Sequence, residues 1–509
     1  MTASNITIMI AIVAYLAFML GVGIWYSKRN KTTDDFYLGG RRLGPFVTAM
    51  SAEASDMSSW LLMGLPGVAY LTGVADAAWT AIGLAIGTYL NWLIVARKIR
   101  HYSHRCGATT LPAFFSARFR DKSNMLSVIA ALVIIIFFVP YTASGFAACG
   151  KLFNSLFGVE YLTAMIVCAA VIVIYTILGG FLAASTTDFI QSIIMTIALV
   201  AVLSYGIVNA GGFGNVMDNA KSLPGYLSFI HTYDAASNAA KPYGFLTICS
   251  MLAWGLGYFG MPHVLLRFMA IEDAKKLKLS RRVATVWVVI SLAVAVLIGI
   301  IGLGMVSYGS MAPLEDSERI IVEVAKLISG HGVLAAVLAG VILAGILAAT
   351  MSTADSQLLA ASSSVSQNIV KEKFFPNMKE KTTMIIARAT VVVISVIAVF
   401  LAQDPSSNVF KIVSFAWAGF GAAFGPVVLF SLFWKRTTKW GALAGMISGG
   451  AMVFIWKYAI AKLGGVFAIY ELLPAFIAAC VAIVAVSLLT KAPSKEITDE
   501  FEAVKAMKY

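Results

Sequence analysis

SAEASDMSSWLLMGLPG, residues 51–67, places two carboxylates and four hydroxyls inside an apolar run that is long enough to cross a lipid bilayer. The run extends from about 46 to 71, and Asp56 lies well inside it. An ionisable group at membrane depth costs about 2.5–3.5 kcal/mol on insertion scales and usually faces a cavity or a partner. We therefore predict a functional role for Asp56, against the alternative that it reaches an interface or caps a helix break.

The same run is a poor continuous helix. Gly64, Pro66 and Gly67 weaken its ladder of backbone hydrogen bonds. Unwound backbone at membrane depth is tolerated where it lines a water-filled cavity, and its freed carbonyls can coordinate Na+. Small residues such as Ala54 let a bare cation approach closely. The stretch offers carboxylate, hydroxyl and carbonyl oxygens together, so it predicts a site for a hard monovalent cation.

A second interrupted run reads LAWGLGYFGMPH, residues 252–263. Three glycines and Pro262 weaken this helix, while Trp254, Tyr258 and Phe259 supply flat apolar walls with a polar rim. Aromatic residues in a membrane span are often only packing or an interfacial belt. Combined with the glycines and the proline, they indicate a break that faces a ligand.

These runs belong to a chain that is apolar from end to end. Of its 509 residues, 60% are hydrophobic and 12% are charged, and the mean hydropathy is +0.85. Soluble domains carry roughly 25% charged residues. We predict an all-α polytopic membrane protein with about thirteen transmembrane helices. The predicted spans lie near 6–26, 46–71, 74–96, 125–149, 160–179, 187–209, 243–268, 284–308, 331–355, 383–402, 409–434, 440–461 and 470–490.

The two breaks lie about two hundred residues apart, and each opens a block of five spans. Paired broken helices at corresponding positions indicate an inverted-repeat transporter with its site at the midplane. An odd number of spans per block gives the two halves opposite orientations, as such a repeat requires. The predicted organisation is a first helix and cytoplasmic loop (1–45), a first repeat (46–210), an extracellular loop (211–242), a second repeat (243–434), two additional helices (435–490) and a cytoplasmic tail (491–509).

Orientation follows from the distribution of Lys and Arg, because short cytoplasmic loops are enriched in both. Loops on one face of the predicted topology hold 30 of the 38 basic residues. This places the amino terminus outside and the carboxyl terminus in the cytoplasm, with the first run retained as a span and not cleaved as a signal peptide. Topogenic charge and attraction to anionic membrane lipid explain the net charge of +13 without a nucleic-acid partner.

Motifs of membrane enzymes and pumps are missing from the sequence. The chain has no GxxxxGK[ST], HExxH or GxSxG motif. The longest polar loops, about 97–124 and 210–242, are too short for a nucleotide-binding domain. Five scattered cysteines have no metal-ligand or disulfide spacing. We expect neither enzyme activity, nor a catalytic residue, nor a transition metal, nor an obligate protein partner.

A third polar cluster, ATMSTADSQ at 349–357, ends the ninth predicted span. Ser352 and Thr353 have two open interpretations. Their hydroxyls either bond back to carbonyls of their own helix, as helical hydroxyls commonly do, or belong to a functional site. Asp355 and Ser356 follow a turn later, at the predicted cytoplasmic boundary.

The motifs FYLGGRRLGP, SAEASDMSSWLLMGLPG, AWGLGYFGMPH and MSTADSQLL, in this order, resemble the sodium:solute symporter family, and most closely its bacterial sodium/proline symporters. The resemblance covers about residues 6–490. It implies a five-plus-five inverted-repeat core of the leucine-transporter type, with broken helices, one helix before the core and two after it.

The resemblance also implies roles for individual residues. Sodium is expected at the carbonyls of Ala54 and Met57 and the hydroxyls of Ser352 and Thr353, with Asp56 needed for sodium dependence. The expected substrate residues are Ser58, Ser59, Tyr141, Trp254, Tyr258 and Pro262. Arg41 and Asp188 match positions linked to ion access. Two residues depart from the pattern: Ser59 stands where proline symporters often have glycine, and Glu53 where a smaller residue is common.

The function implied is Na+-coupled uptake of L-proline across a bacterial cytoplasmic membrane by alternating access, with no cofactor and with Na+ as the co-transported ion. One alternative is symport of another small amino acid or a carboxylate. A membrane sensor or channel on the same scaffold is a second alternative. A sensor needs a signalling domain after the last span, and we expect none in the twenty residues that follow Leu489.

Overall fold

The structure is a computed structural model that describes residues 2–28, 32–406 and 408–507. Within these ranges the chain forms twenty α-helices and one antiparallel β-hairpin. The helices are α1 Ala3–Ser27, α2 Thr33–Leu38, α3 Pro45–Ser59, α4 Leu65–Thr72, α5 Val74–Leu90, α6 Ala96–Arg105, α7 Leu111–Arg118, α8 Met125–Phe157, α9 Tyr161–Asn209, α10 Phe213–Ser222, α11 Phe245–Leu252, α12 Pro262–Ala270, α13 Leu277–Tyr308, α14 Ile320–Ser329, α15 Val333–Ser363, α16 Glu380–Leu401, α17 Val409–Phe433, α18 Lys439–Ile455, α19 Leu472–Leu489 and α20 Lys495–Lys505; the strands are β1 His231–Asp234 and β2 Ala239–Pro242.

Local side chains fix several helix ends. The Asn408 side chain accepts a hydrogen bond from the Lys411 backbone at the start of α17, and Thr438 caps α18 in the same way through Gly441. At the other end, Gly158 adopts φ 65° after α8, where a residue without a Cβ adopts the left-handed conformation at little cost.

The first break lies inside α3, at Ser58, where φ is 47° and ψ is −171°. This conformation is almost restricted to glycine and costs of order 1–3 kcal/mol for other residues. The Ser58 hydroxyl accepts a hydrogen bond from the Trp60 backbone N–H at 3.1 Å, which partly offsets that cost. The glycine and proline residues at 64–67 do not break the helix. A π-helical segment, Trp60–Gly64, leads into α4 there.

The second break separates α11 from α12. The segment Ala253–Phe259 winds as a 3-10 helix, and the two helices meet at a bend of 44°. Pro262 occupies the first position of α12, where its missing N–H removes no intrahelical bond. Both interrupted runs therefore contain a break, but the first lies at Ser58 and not at the predicted Gly64, Pro66 and Gly67.

Helix α9 contains 49 residues, about 74 Å at 1.5 Å per residue, which is more than twice the bilayer core. Gly180 interrupts it with φ 64° and ψ −169°. In the described part of the chain, ten helices are long and apolar enough to cross a membrane, or eleven with the bent pair α11 and α12. The count of thirteen remains a prediction; it requires α9 to cross twice and α3 with α4 to cross once.

Helices α9 and α15 pack together at the centre of the molecule, and α3 lies against both of them. Helix α1 covers α9 and α15, while α18 and α19 pack on each other and on α17. The first break is thus held between the two central helices, and α18 and α19 lie to one side.

Three sequence-based boundaries are corrected. The segment 97–124, predicted to be a polar loop, forms nearly all of α6 and all of α7, and buries Arg100 and Arg118 inside the protein. The segment 210–242 contains α10 and the hairpin. The ninth span, predicted to end at 355, continues through α15 into a π-helical segment that ends at Phe374. The charged residues led to the prediction of loops, but packed helices bury several of those charged groups in the structure.

Candidate functional site

Helices α3 and α15 bring three groups of oxygen atoms together beside the first break. The Ser352 hydroxyl donates to the Ala54 carbonyl at 2.8 Å and to the Ala349 carbonyl at 3.1 Å. The Thr353 hydroxyl also donates to Ala349, at 3.1 Å. All four residues are buried. Both hydroxyls therefore bond back to their own helix, and Ser352 also reaches the broken helix; a role for them in binding an ion stays a prediction.

The sequence analysis missed the Ala349 carbonyl. It lies three and four residues before the two hydroxyls, the spacing at which helical Ser and Thr usually bond back, so the spacing could have identified it. A hydroxyl rotates freely and keeps two lone pairs that can turn to a cation. Together, the cluster of carbonyls and hydroxyls has the chemistry of a site for a hard monovalent ion.

Asp56 lies one turn from this cluster. Its backbone carbonyl accepts a hydrogen bond from the Tyr141 hydroxyl at 3.1 Å. Its carboxylate lies within electrostatic range of the Tyr258 hydroxyl, but within the described ranges neither Oδ1 nor that hydroxyl makes a hydrogen bond of good geometry. The Met57 carbonyl accepts from the Trp60 N–H. The structure does not place Met57 in direct contact with Ser352, so its part in a cation site stays a prediction.

A narrow cavity of about 10 Å3 adjoins Asp56. That is about the room of one water molecule, so a solute fits there only when the walls move apart. Four predicted site residues line it: Asp56, Met57, Tyr141 and Trp254. The other wall residues were missed by the sequence analysis: Trp60, Leu84, Val413 and Trp417. Trp60 follows the break by two residues, so its position in the sequence could have identified it. Leu84, Val413 and Trp417 come from helices that are distant in the sequence.

Aromatic rings cover one side of this cavity around Trp254. Its ring lies 5.5 Å from those of Trp60 and Phe410 and 5.0 Å from that of Tyr470, centroid to centroid. The Trp417 indole N–H donates to the Trp254 carbonyl at 2.8 Å. The second broken helix is thereby fixed to α17, and it presents a flat apolar surface to the cavity.

The remaining predicted substrate residues are buried nearby but do not line the cavity. Ser58 uses its hydroxyl within the break, and the Ser59 hydroxyl has no hydrogen-bond partner among the residues that the structure describes. Tyr258 packs edge-on against Trp417 at 5.1 Å, and Pro262 begins α12. Glu53 also lies apart, with Oε1 accepting from the Trp92 indole at 2.8 Å.

A second buried polar group surrounds Asp188, on α9. Its Oδ2 accepts from Ser51 at 2.6 Å and from Arg267 at 3.0 Å, and Arg267 also donates to Ser356 at 2.5 Å. Ser356 in turn donates to Asp355 at 3.1 Å. These residues link α3, α9, α12 and α15. Asp355 and Ser356, expected at the edge of the membrane, are enclosed by protein on all sides.

Arg267 was not identified from the sequence, although an arginine directly after a broken membrane helix is a signal for a buried partner. Arg41 lies elsewhere, between α2 and α3. Its guanidinium donates to the carbonyls of Met269 at 2.7 Å and Ala108 at 2.6 Å. Burial and the nearby charge of Arg100 lower the pKa of Arg41 to about 10, so it stays cationic at neutral pH. It ties the segment before α3 to α12 and to the turn before α7.

Comparison with known proteins gives consistent matches. The Sodium:solute symporter family matches residues 36–449. The High-affinity proline transporter PutP of Bacillus subtilis is 42% identical over 95% of this chain and 98% of its own length. The Sodium/proline symporter of Escherichia coli is 41% identical over 98% and 96%, and the Osmoregulated proline transporter OpuE of Bacillus subtilis is 43% identical over 96% of both chains.

Two solved structures resemble the fold. A Na+-coupled sialic acid symporter, in a substrate-bound outward-open state, matches with a TM-score of 0.77 at 19% identity, covering 96% of this chain and 99% of its own. The nucleobase-cation-symport-1 family transporter MHP1, in a closed conformation, matches with a TM-score of 0.54 at 13% identity, covering 92% and 98%. The leucine-transporter type of fold is therefore confirmed over nearly the whole chain.

Proposed function

The chain belongs to the sodium:solute symporter family, and we propose that it takes up L-proline together with Na+ across the cytoplasmic membrane by alternating access. It is a multi-pass membrane transporter and not an enzyme. The observation that carries the proposal is the 2.8 Å contact from the Ser352 hydroxyl to the Ala54 carbonyl. This contact joins the first broken helix to α15 next to the cavity, so an ion held there can couple the two.

Sodium in this proposal is held by the carbonyls of Ala54 and Met57 and by the hydroxyls of Ser352 and Thr353. The Ala349 carbonyl, which both hydroxyls already contact, supplies a further oxygen. Asp56 contributes negative charge close by, at a buried oxygen that makes no hydrogen bond within the described ranges. Oxygen ligands from unwound backbone and hydroxyls are the donors that membrane transporters use for Na+.

Proline in this proposal occupies the cavity beside the break once the walls of the cavity have moved apart. Its ring packs against the aromatic walls formed by Trp254, Tyr141 and Trp60. Its carboxylate meets backbone N–H groups exposed at the break. Four further predicted residues are buried near the cavity without lining it: Ser58, Ser59, Tyr258 and Pro262. We propose that they contact the solute when the break rearranges.

The coupling energy is sufficient for accumulation. Proline is a zwitterion with no net charge, so the cation supplies the electrical drive. One Na+ moving down about 100 mV releases roughly 2.3 kcal/mol, and a tenfold sodium gradient adds about 1.4 kcal/mol. The total of ~3.7 kcal/mol supports an accumulation of a few hundredfold at perfect coupling. A single ion per proline is therefore enough.

We also propose the orientation and domain organisation expected from the sequence. The amino terminus lies outside, the carboxyl terminus in the cytoplasm, and 46–210 and 243–434 form the inverted repeats. The asymmetry of basic residues supports this, although Arg29 and Lys31, which contribute to it, lie outside the described residues. The breaks support the repeats, because each occurs in the first span of its block.

The test is uptake of radiolabelled proline into proteoliposomes that contain only this protein, with sodium, lithium, potassium or proton gradients imposed in turn. Sodium-driven, concentrative uptake that excess unlabelled proline blocks is the expected result. A panel of unlabelled amino acids and carboxylates separates proline from the alternative solutes. Sodium dependence without proline transport would move the substrate assignment to one of those solutes, and uptake that never exceeds equilibrium would indicate a channel.

Coupling gives an independent test. Because binding linkage is reciprocal, proline must tighten sodium by the same factor as sodium tightens proline. Calorimetry on the purified protein measures both factors. A sodium affinity that is indifferent to proline would rule out the coupled site at the first break.

A further inference from the structure

A groove of about 500 Å3 runs along the outside of α13, where α13 meets α3 and the second half of α9. Its walls are almost wholly apolar, with Val286, Ile290 and Val294 from α13 and Leu199 and Val200 from α9. The indole N–H of Trp287 donates to the Thr196 hydroxyl at 2.9 Å across its floor, so the polar groups there are already paired. The groove lies in a membrane-spanning region, outside the cavity and the cation site.

One end of this groove is basic. Arg282 lines it, and Lys278 precedes Arg282 by one helical turn on the same face of α13. In the described ranges, no carboxylate lies within ion-pair distance of Arg282 or Lys278. By contrast, Arg281, next in the chain, turns away from the groove and rests over the Tyr89 ring at 5.5 Å. Two free cations therefore stand at the mouth of an apolar channel.

The dimensions match one leaflet of a bilayer. Twelve residues separate Arg282 from Val294, which is about 18 Å along a helix. Half of a hydrocarbon core is about 15 Å. A ligand that fits has an anionic head at the level of Arg282 and a flexible apolar chain about one leaflet long. Basic pockets between transmembrane helices are known to bind anionic lipid headgroups.

We propose that this groove is a specific binding site for one anionic phospholipid, with its phosphate at Arg282 and Lys278 and an acyl chain along Val286, Ile290 and Val294. The site has a route to the transport machinery. Met50 of α3 lines the groove, and its neighbour Ser51 donates to Asp188 at 2.6 Å. A bound lipid therefore supports the helix that carries the first break.

The probe is dibrominated phosphatidylglycerol, titrated into nanodiscs of phosphatidylcholine that contain the full-length protein. Bromine quenches tryptophan only at contact, and Trp287 is in the groove. We expect a saturable component of quenching by brominated phosphatidylglycerol that is lost in Trp287→Phe, on top of the non-saturable quenching of exposed tryptophans such as Trp25 and Trp440. Arg282→Gln should weaken the apparent affinity about fivefold, because one basic residue near an anionic surface contributes about that factor.

The matched control is Arg281→Gln, which removes the same charge from the adjacent position and should leave the titration unchanged. Equal effects of the two substitutions would show a general charge effect and overturn the site. Equal quenching by brominated phosphatidylcholine would overturn its preference for an anionic head. Cross-linking of the Val286→Cys variant that captures a second copy of the chain would overturn the lipid site and assign the groove to an oligomer interface instead.

Discussion

At the first break, α3 changes direction at one residue, Ser58, whereas the second break extends over residues 253–261. Among the described residues, both breaks hold buried polar atoms without a hydrogen bond, but of different kinds: a carboxylate oxygen and a hydroxyl at the first (Asp56 Oδ1, Ser59 Oγ), and an indole N–H and a phenol at the second (Trp254, Tyr258). The second break is packed against its neighbours. A Cβ at Gly257 would collide with the Trp417 ring, and one at Gly260 with the Phe420 backbone. From this difference we infer separate tasks for the two interrupted helices: the first holds the ion of the proposed symport, and the second is a fixed wall.

Asp56→Asn is the sharpest challenge to this division. Removing a charge that faces a buried cation costs about 3 kcal/mol, or roughly 100-fold. We expect the sodium concentration for half-maximal uptake to rise by that factor, while the protein still inserts in the membrane. Glu53→Gln removes a carboxylate one turn earlier. It should change the sodium concentration for half-maximal uptake by less than about threefold, because the Glu53 carboxylate accepts a hydrogen bond from Trp92 and is not directed at the ion. Unchanged sodium activation in Asp56→Asn would remove Asp56 from the ion site.

Gly257→Ala tests the fixed wall. The added methyl group has to displace the Trp417 ring, and overpacking of this kind costs roughly 2 kcal/mol. Proline affinity should fall about 30-fold, with sodium affinity in the absence of proline unchanged, as measured by calorimetry. The control is Gly214→Ala in α10, where nothing lies within 4 Å of the added atom. A loss of sodium affinity in Gly257→Ala would mean that the two breaks do not divide the work.

Ser352→Ala compares the two hydroxyls within the first site. Ser352 reaches across to Ala54, whereas Thr353 bonds to its own helix. Losing the bridging oxygen should cost about 1.4 kcal/mol, which is a tenfold rise in the sodium requirement. Thr353→Ala should have a smaller effect in the same uptake assay. An equal or larger effect of Thr353→Ala would place the ion nearer to Thr353 than the Ser352 contact indicates.

The prediction for Ser58 concerns the stability of the protein and not its transport activity. Its backbone conformation suits glycine, so Ser58→Gly relieves strain that Ser58→Ala retains. Both variants lose the hydroxyl that accepts from Trp60. The glycine variant should therefore be more stable than the alanine variant by about 1–3 kcal/mol, measured by thermal unfolding in detergent. Equal stabilities would show that Ser58 is not strained.

Sequence reasoning located the features that depend on local chemistry. Carboxylates at membrane depth drew attention to the first interrupted helix, and glycines with a proline identified the second break. The resemblance to the symporter family placed Ala54 and Ser352 at one expected cation site, and the Ser352 hydroxyl does contact the Ala54 carbonyl. Features that depend on distant packing were missed. Trp417 and Val413 reach the cavity from α17, and Arg267 meets Asp188 only because α12 lies beside α9. The end of α6 was also predicted wrongly, because its charged residues indicated a loop and packing buries one of them, Arg100.

The Asp56 oxygen that makes no hydrogen bond within the described ranges has an electrical consequence. An ionised Asp56 gives the unloaded core a negative charge, and a bound Na+ cancels it, while proline adds none. The membrane potential then acts on the return of the unloaded carrier more than on the loaded step, at about 2.3 kcal/mol per charge for 100 mV. An inside-negative potential drives that negative core outward. Hyperpolarisation should therefore raise the maximal turnover, even when both solutes are saturating.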